Sequence, residues 1–220
     1  MNEIIPKNDV SIADKCEMIC GFLSGDFTNV LKLVETCIDT AKSIPDYLFY
    51  RNLRAVILEL ENKETAKRKV GKKLAKSEYG AKYGYVLLHY IISYEHEEKG
   101  IFLAHLLDSL SWGYITTEEC FAYCKFIMDV SLGSLIYLKN NIKKVVLYNF
   151  DDSRCYVNEL FRNSLMYDSE RNGKAFSREA YYLDKFALSY NDEKYRYRNK
   201  DDDIPDPEDL PKSPTYLTTR

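Results

Sequence analysis

Three features of this sequence predict a mainly α fold, a multi-helix bundle carrying a small C-terminal helix–β-hairpin–helix appendage. Apolar residues return at three- and four-residue steps from Ser11 to Leu138, the spacing of one helix face. Nine glycines and six prolines in 220 residues leave few breaks between such segments. In Lys99–Ile127 the periodicity, the turn chemistry and the capping chemistry agree with one another.

That stretch anchors the reading. Ile101, Phe102, Leu103, Leu106, Leu107, Leu110 and Trp112 form one helical stripe, and Trp112-Gly113-Tyr114 supplies a turn. Thr116 is then placed as an N-cap with Glu119 three residues on, the reciprocal capping box that satisfies two orphan backbone donors. Cys120, Phe121, Cys124, Phe126 and Ile127 give the next helix its apolar set. Two amphipathic helices on so short a loop run antiparallel as a helical hairpin.

The rest follows in order. Ser11–Leu23 predicts a first helix with Ile12, Cys16, Ile19, Cys20 and Leu23 inward, ended by Gly25. Asp26 is placed to cap a second, whose stripe is Phe27, Val30, Leu31, Val34, Cys37, Ile38 and Ala41. Ile44-Pro45 predicts a break, because proline cannot donate to the ladder and disfavours helical geometry before it. Asp46–Glu61 predicts a third helix, central to the core, with Leu48, Phe49, Leu53, Val56, Ile57 and Leu60 on its face. Lys63–Lys76 reads as a basic surface helix anchored only by Ala66, Val70, Leu74 and Ala75. Tyr85–Tyr94 is apolar on nearly every side and predicts the most buried helix.

Ser131-Leu132-Gly133 interrupts the pattern before a short helix through Leu135, Ile136 and Leu138, ending near Asn140-Asn141. Val145–Tyr148 is β-prone, and Tyr156–Phe161 reads as a short helix. Leu165-Met166-Tyr167, then Arg171-Asn172-Gly173-Lys174, then Ala175-Phe176 look like a hairpin with Asn-Gly at its turn. Ser177 caps a last helix, Arg178–Ser189, with Tyr182, Leu183, Phe186 and Ala187 inward. Helix, hairpin, helix is the order of a reduced winged-helix half. From Asn199 onward, acidic clusters and four prolines with little to bury predict a disordered or polyproline-like tail. The expected organisation is therefore a bundle over 1–142, an appendage over 143–198 and an acidic tail over 199–220.

A chain of this length buries roughly 70% of its unfolded surface and needs no disulfide or metal staple. The net charge of −3 gives no global attraction to nucleic acid or anionic membrane. No run reaches the roughly 18 apolar residues of a membrane span, and the first residues lack a signal-peptide layout. The expectation is a cytoplasmic protein whose six cysteines are reduced. Nineteen tyrosines are the oddity, and rings with a polar tip suit helix seams and protein interfaces alike.

Ser43-Ile44-Pro45 with Asp46–Phe49, Lys69-Val70-Gly71-Lys72-Lys73-Leu74, Glu98-Lys99, and Gly113–Phe121 together carry a likeness. In this order they resemble a widespread set of small uncharacterised bacterial proteins with an "IP" hinge, a "kvG" helix and an "Is-eEf" hairpin. The resemblance covers roughly Ser43 to Ile142 and implies a helical fold with no chemistry. The Tyr-rich core and acidic tail depart from that pattern.

Chemistry-bearing constellations are sparse. Cys16 with Cys20 and Cys120 with Cys124 each stand one helical turn apart, and two facing pairs could hold a tetrahedral zinc or two disulfides. The alternative is that cysteine packs as a small buried hydrophobe, since structural zinc usually takes cysteines two apart in a turn. His89, His96 and His105 lie near Glu95, Glu97, Glu98 and Asp108 without a Glu-x-x-His or zincin spacing. No phosphate loop, nucleophile elbow or kinase signature occurs, so no enzyme and no cofactor are expected.

The strongest functional candidate is the basic helix, which spaces Lys67, Arg68, Lys72, Lys73 and Lys76 along one surface as phosphate contacts require. Arg171 and Lys174 would add charge at a wing. Lysine-rich helices are more often solvated faces, and the acidic tail offers these cations a partner within the chain. The reading is a non-catalytic interaction or regulatory protein of bacterial or phage type, with a protein partner or self-association. The phage suggestion rests on Lys, Asn and Tyr content. A DNA- or RNA-binding regulator is the alternative, and a thiol or zinc protein the second.

Overall fold

The computed structural model describes residues 11–24, 26–61, 80–144, 146–147, 153–169 and 173–190. The expected basic helix 63–76, Arg171 and the acidic tail lie outside the described residues. The chain is mainly helical and divides into two compact units, Met1–Met128 and Asp129–Arg220. The expected boundary was 142/143, so the helix following Ser131 belongs to the second unit.

The first unit contains α1 (Ile12–Ser24), α2 (Phe27–Ile38), α3 (Ile44–Glu61), α4 (Gly80–Ser93), α5 (Glu97–Trp112) and nearly all of α6 (Thr117–Asp129). Helix α3 is central and packs on α2, α4 and α5, while α1 packs on α2 and α4. Its start corrects the expected break at Ile44-Pro45. Ser43 Oγ accepts from the Asp46 amide at 3.2 Å and donates to its carboxylate at 2.6 Å, so the helix begins two residues early. Pro45 then falls in the first turn, where its missing N–H has no intrahelical partner to lose.

The inward face of α1 also differs from the expected one. Lys15, Met18, Ile19 and Phe22 are buried, whereas Ile12 is 69% exposed and Cys20 is exposed. Met18, Ile19 and Phe22 set this face by burying apolar surface, and Lys15 joins it because its ammonium pairs with Asp46 of α3 and lies 5.7 Å from the Phe49 ring centroid. Ser11 and Asp14 form a reciprocal capping box at its start, with bonds of 3.2 and 2.9 Å. Asp26 occupies the N-cap of α2 without bonding its backbone, because its carboxylate accepts from the Asn29 amide at 3.1 Å instead.

The helical hairpin has the expected chemistry. Gly113 sits at φ 82°, with Gly113 N–H donating to Leu110 and Tyr114 N–H to Ser109, each at 3.0 Å. This is the Schellman closure that a left-handed glycine permits. Thr116 and Glu119 form the capping box at 2.8 and 3.2 Å. At the far end, buried Lys99 reaches the Met128 carbonyl at 3.4 Å, so α5 and α6 run antiparallel. The most buried helix is α5, with an unbroken run from Leu106 to Ser111, and not the expected Tyr85–Tyr94. In α4 Tyr85 is 62% exposed and His89 is exposed, so one side of that helix faces out.

Tyrosines do stitch the seams. Tyr83 stacks on Phe121 at 4.8 Å, Tyr90 Oη donates to the Phe121 carbonyl at 3.3 Å, and Tyr94 Oη donates to the Cys124 carbonyl at 3.4 Å. Asn52, fully buried in α3, donates to the Ile91 and Tyr94 carbonyls at 2.8 and 2.6 Å. It satisfies two of the acceptors that the C-terminal end of α4 would otherwise leave orphaned.

The second unit holds α7 (Leu132–Asn141), α8 (Arg154–Arg162), β1 (Met166–Asp168), β2 (Lys174–Phe176) and α9 (Arg178–Leu183), which continues as a π-helical turn over Asp184–Leu188. The expected interruption is present and falls at Val130-Ser131, with Ser131 as the N-cap of α7 and Leu132 and Gly133 already in its first turn. Glu159 of α8 accepts from the Ser131 amide at 3.0 Å and from the Ser131 and Ser134 hydroxyls, tying the two helices together. The strands pair antiparallel as Met166↔Phe176, Tyr167↔Ala175 and Asp168↔Lys174. Leu147, from the β-prone run, bridges Lys174 on the other edge of β2, with bonds of 2.8 and 3.0 Å. Ser177 caps α9 through the Ala180 amide at 3.3 Å, and Tyr182, Leu183, Phe186 and Ala187 are buried as expected.

Candidate functional site

The described residues of the first unit leave one face of the α1/α2 pair incompletely covered. With Lys15, Met18, Ile19 and Phe22 inward, Asp14, Glu17 and Gly21 of α1 line one side of a groove of about 450 Å³. Val30, Leu33 and Cys37 of α2 form the other wall, and Met18 contributes to the floor. The helices approach closely at Gly21, where an added Cβ would stand 3.0 Å from Val30 Cγ2. Leu33 remains 48% exposed over this groove. Among the described residues its charged lining groups are the carboxylates of Asp14, Glu17 and Asp26.

Beneath Cys37 lies Tyr50, 1% exposed, whose hydroxyl has no hydrogen-bond partner. The Cys37 thiol lies beside it without making a well-formed bond. Burial raises the Tyr50 hydroxyl well above its ordinary value, and the neighbouring Cys37, Asp46 and Asp14 groups add to the rise. Burial likewise pushes the Cys37 thiol up, partly offset by the Tyr50 hydroxyl. Neither group is therefore activated as a nucleophile at neutral pH.

Of the sequence-predicted cations, Lys67, Arg68, Lys72, Lys73, Lys76 and Arg171 lie outside the described residues. Lys174 is described, and it does not stand free at a hairpin tip. Its ammonium pairs with Asp168 at 2.5 Å and sits 4.0 Å from the Phe161 ring centroid. Between Leu147 and β1 the described residues hold a single helix, α8, with no second helix in the place where helix-turn-helix proteins carry their recognition helix.

The cysteine pairs part company. Cys120 and Cys124 are wholly buried in α6, while Cys16 is half-buried and Cys20 exposed on α1. Burial raises the Cys124 thiol, as does the neighbouring Cys120. No group of three or more His, Cys, Asp and Glu among the described residues is arranged to hold a metal ion. His105 Nε2 lies 3.1 Å from a Glu59 carboxylate oxygen, and His89 and His96 are exposed.

Sequence reasoning missed the groove because it placed the apolar face of α1 one row away. Leu33, an apolar residue off the Phe27–Val30–Val34 stripe, was the one signal available. No protein-family model, no curated protein and no solved structure matches this chain. No single helix among the described residues is long and apolar enough to cross a membrane.

Proposed function

We propose that this chain is a non-catalytic interaction or regulatory protein of bacterial or phage type, and that the α1/α2 groove is its docking surface. The observation that supports this reading is the combination of half-exposed Leu33 with a concave apolar floor and three carboxylates at its rim. Leu33 is the exposed apolar residue of this lining, over buried Met18 and Val30, and a partner side chain seated on it would remove it from water between the carboxylates. Exposed Ile44 and Tyr47, at 76% and 46%, add apolar surface on the first turn of α3. The likeness of Ser43–Ile142 to small bacterial helical proteins belongs to the same proposal and brings no activity with it.

The test is capture from a lysate of the native host by the immobilised full-length chain, run beside a Leu33→Lys variant. A stoichiometric protein retained by the first and lost by the second is the expected result. Equal retention by both would remove the groove from the proposal.

A DNA- or RNA-binding regulator is the second reading, favoured by the order helix, bridged strand, helix, hairpin, helix in the second unit. The pairing of Lys174 with Asp168 weakens it by using one of its cations. The zinc reading ranks third, since Cys120 and Cys124 are buried while Cys20 is exposed.

A further inference from the structure

We infer that the α1/α2 groove takes a short amphipathic helix of a partner protein, with an apolar ridge flanked by lysine or arginine. This deepens the docking reading above and rests on it. The apolar lining is Met18 and Val30, both buried, with Leu33 half-exposed above them, and among the described residues every charged lining group is a carboxylate. Among the described residues no cation pairs with Glu17, while Asp14 and Asp26 bond only to neighbours on their own helix segments. An incoming side chain that buries apolar surface here must therefore pass between negative charges, and a cationic flank turns that cost into attraction.

Length agrees with a helix as occupant. The α2 wall runs from Asp26 to Cys37, and the α1 wall from Asp14 to Gly21. At about 1.5 Å per residue these span about 17 and 11 Å, two to three turns of a docked helix. Close approach at Gly21 keeps the floor shallow, which suits a helix ridge laid along it rather than a deeply inserted ring.

Other occupants fit less well. A second copy meeting the groove through a two-fold axis would set Asp14, Glu17 and Asp26 against the same carboxylates. A nucleic-acid backbone or an anionic lipid surface meets the same repulsion. The orphaned Tyr50 hydroxyl lies behind Cys37 and adds one donor below the floor without changing the sign of the rim.

The experiment uses the full chain and two 14-residue fluorescent probes, KLAKLAKKLAKLAK and its counterpart with every lysine replaced by glutamate. Anisotropy titrations should show saturable binding of the lysine probe and at least about tenfold weaker binding of the glutamate probe. Leu33→Ala, which leaves all charges in place, should weaken the lysine probe by about fivefold or more. Glu17→Lys should weaken it further as salt falls. Both sites are solvent-facing, so unchanged thermal melts will show that neither variant has lost its fold.

Equal affinity for the two probes, or binding within about twofold of wild type in both variants, would overturn the inference. So would a wild-type chain that binds neither probe. If binding then appears after Lys67, Lys72 and Lys73 are replaced by glutamate, the occupant is the chain's own basic segment and not a partner. A concentration-dependent dimer broken by Leu33→Ala would point to a second copy and equally overturn it. Probe failure beside a host partner that still depends on Leu33 would sink only the partner's chemistry, whereas loss of Leu33 dependence in both assays would sink the docking surface itself.

Discussion

At the scale of single residues, the Lys15–Asp46 pair decides more than its size suggests. Burial alone would raise the Asp46 carboxyl, but hydrogen bonds from Lys15 and Ser43 and the Lys15 charge outweigh it and hold the group below its ordinary value. A carboxyl depressed in the folded state adds stability above its unfolded pKa, near 3.9, and loses that stability as pH falls through the folded value. Thermal melts of the full chain should therefore weaken below about pH 4, and Asp46→Asn should remove part of that acid dependence. Lys15→Met leaves the carboxylate with Ser43 as its remaining donor. A loss of roughly 2 kcal/mol is expected, less than the about 3–5 kcal/mol of a fully dry broken pair, because both side chains keep some solvent contact. Melts of Lys15→Met that match wild type at pH 7 would show that the pair does not fix the face of α1.

At the scale of elements, two helical glycines separate packing from propensity. A Cβ at Gly100 would stand 2.9 Å from the Asn52 carbonyl oxygen, so α5 lies on α3 as closely as it does only because that position has no side chain. A Cβ at Gly84 of α4 meets nothing within 4 Å. Gly100→Ala should accordingly destabilise by about 1–3 kcal/mol through overpacking, while Gly84→Ala should stabilise by up to about 1 kcal/mol through helix propensity. Denaturant midpoints of the two variants shifting in the same direction would contradict this assignment. On the opposite side of the same argument, Leu106 and Leu107 are 0% and 1% exposed. Leu106→Ala or Leu107→Ala should cost about 2–5 kcal/mol by leaving a cavity.

At the scale of the whole molecule, the charges decide between the two leading readings of function. If Lys67, Arg68, Lys72 and Lys73 contacted phosphates, duplex-DNA affinity would fall with salt at a slope of about −0.9 per contact. The expectation is instead micromolar or weaker binding by the full chain at physiological salt. The reason is sequence charge alone: Asp201, Asp202, Asp203, Asp206, Glu208 and Asp209 would compete, as a tethered acidic segment, for the same lysines. A chain truncated after Arg198 should bind DNA more tightly if the tail acts in this way. Sub-micromolar, salt-sensitive binding by the full chain would promote the nucleic-acid reading above the docking reading.

The sequence by itself determined what local chemistry controls. Thr116 with Glu119, Gly113 in its left-handed turn, Ser177 at the start of α9 and the strands around Asn172-Gly173 were all legible, because each is specified within a few residues. The stripe of α3 was legible for the same reason, since Phe49, Leu53, Val56, Ile57 and Leu60 repeat along one helix. Only the tertiary structure decided that Lys15 faces inward. Its partner Asp46 lies 31 residues away, whereas Met18, Ile19 and Phe22 mark the same face of α1 by a helical spacing that the sequence itself carries. Asn52 capping the end of α4 is another pairing across 39 and 42 residues, invisible to any window of helix length. The groove depends on tertiary packing: α2 supplies Leu33, and the packing of α1 beside it brings the carboxylates of Asp14 and Glu17 into the same lining.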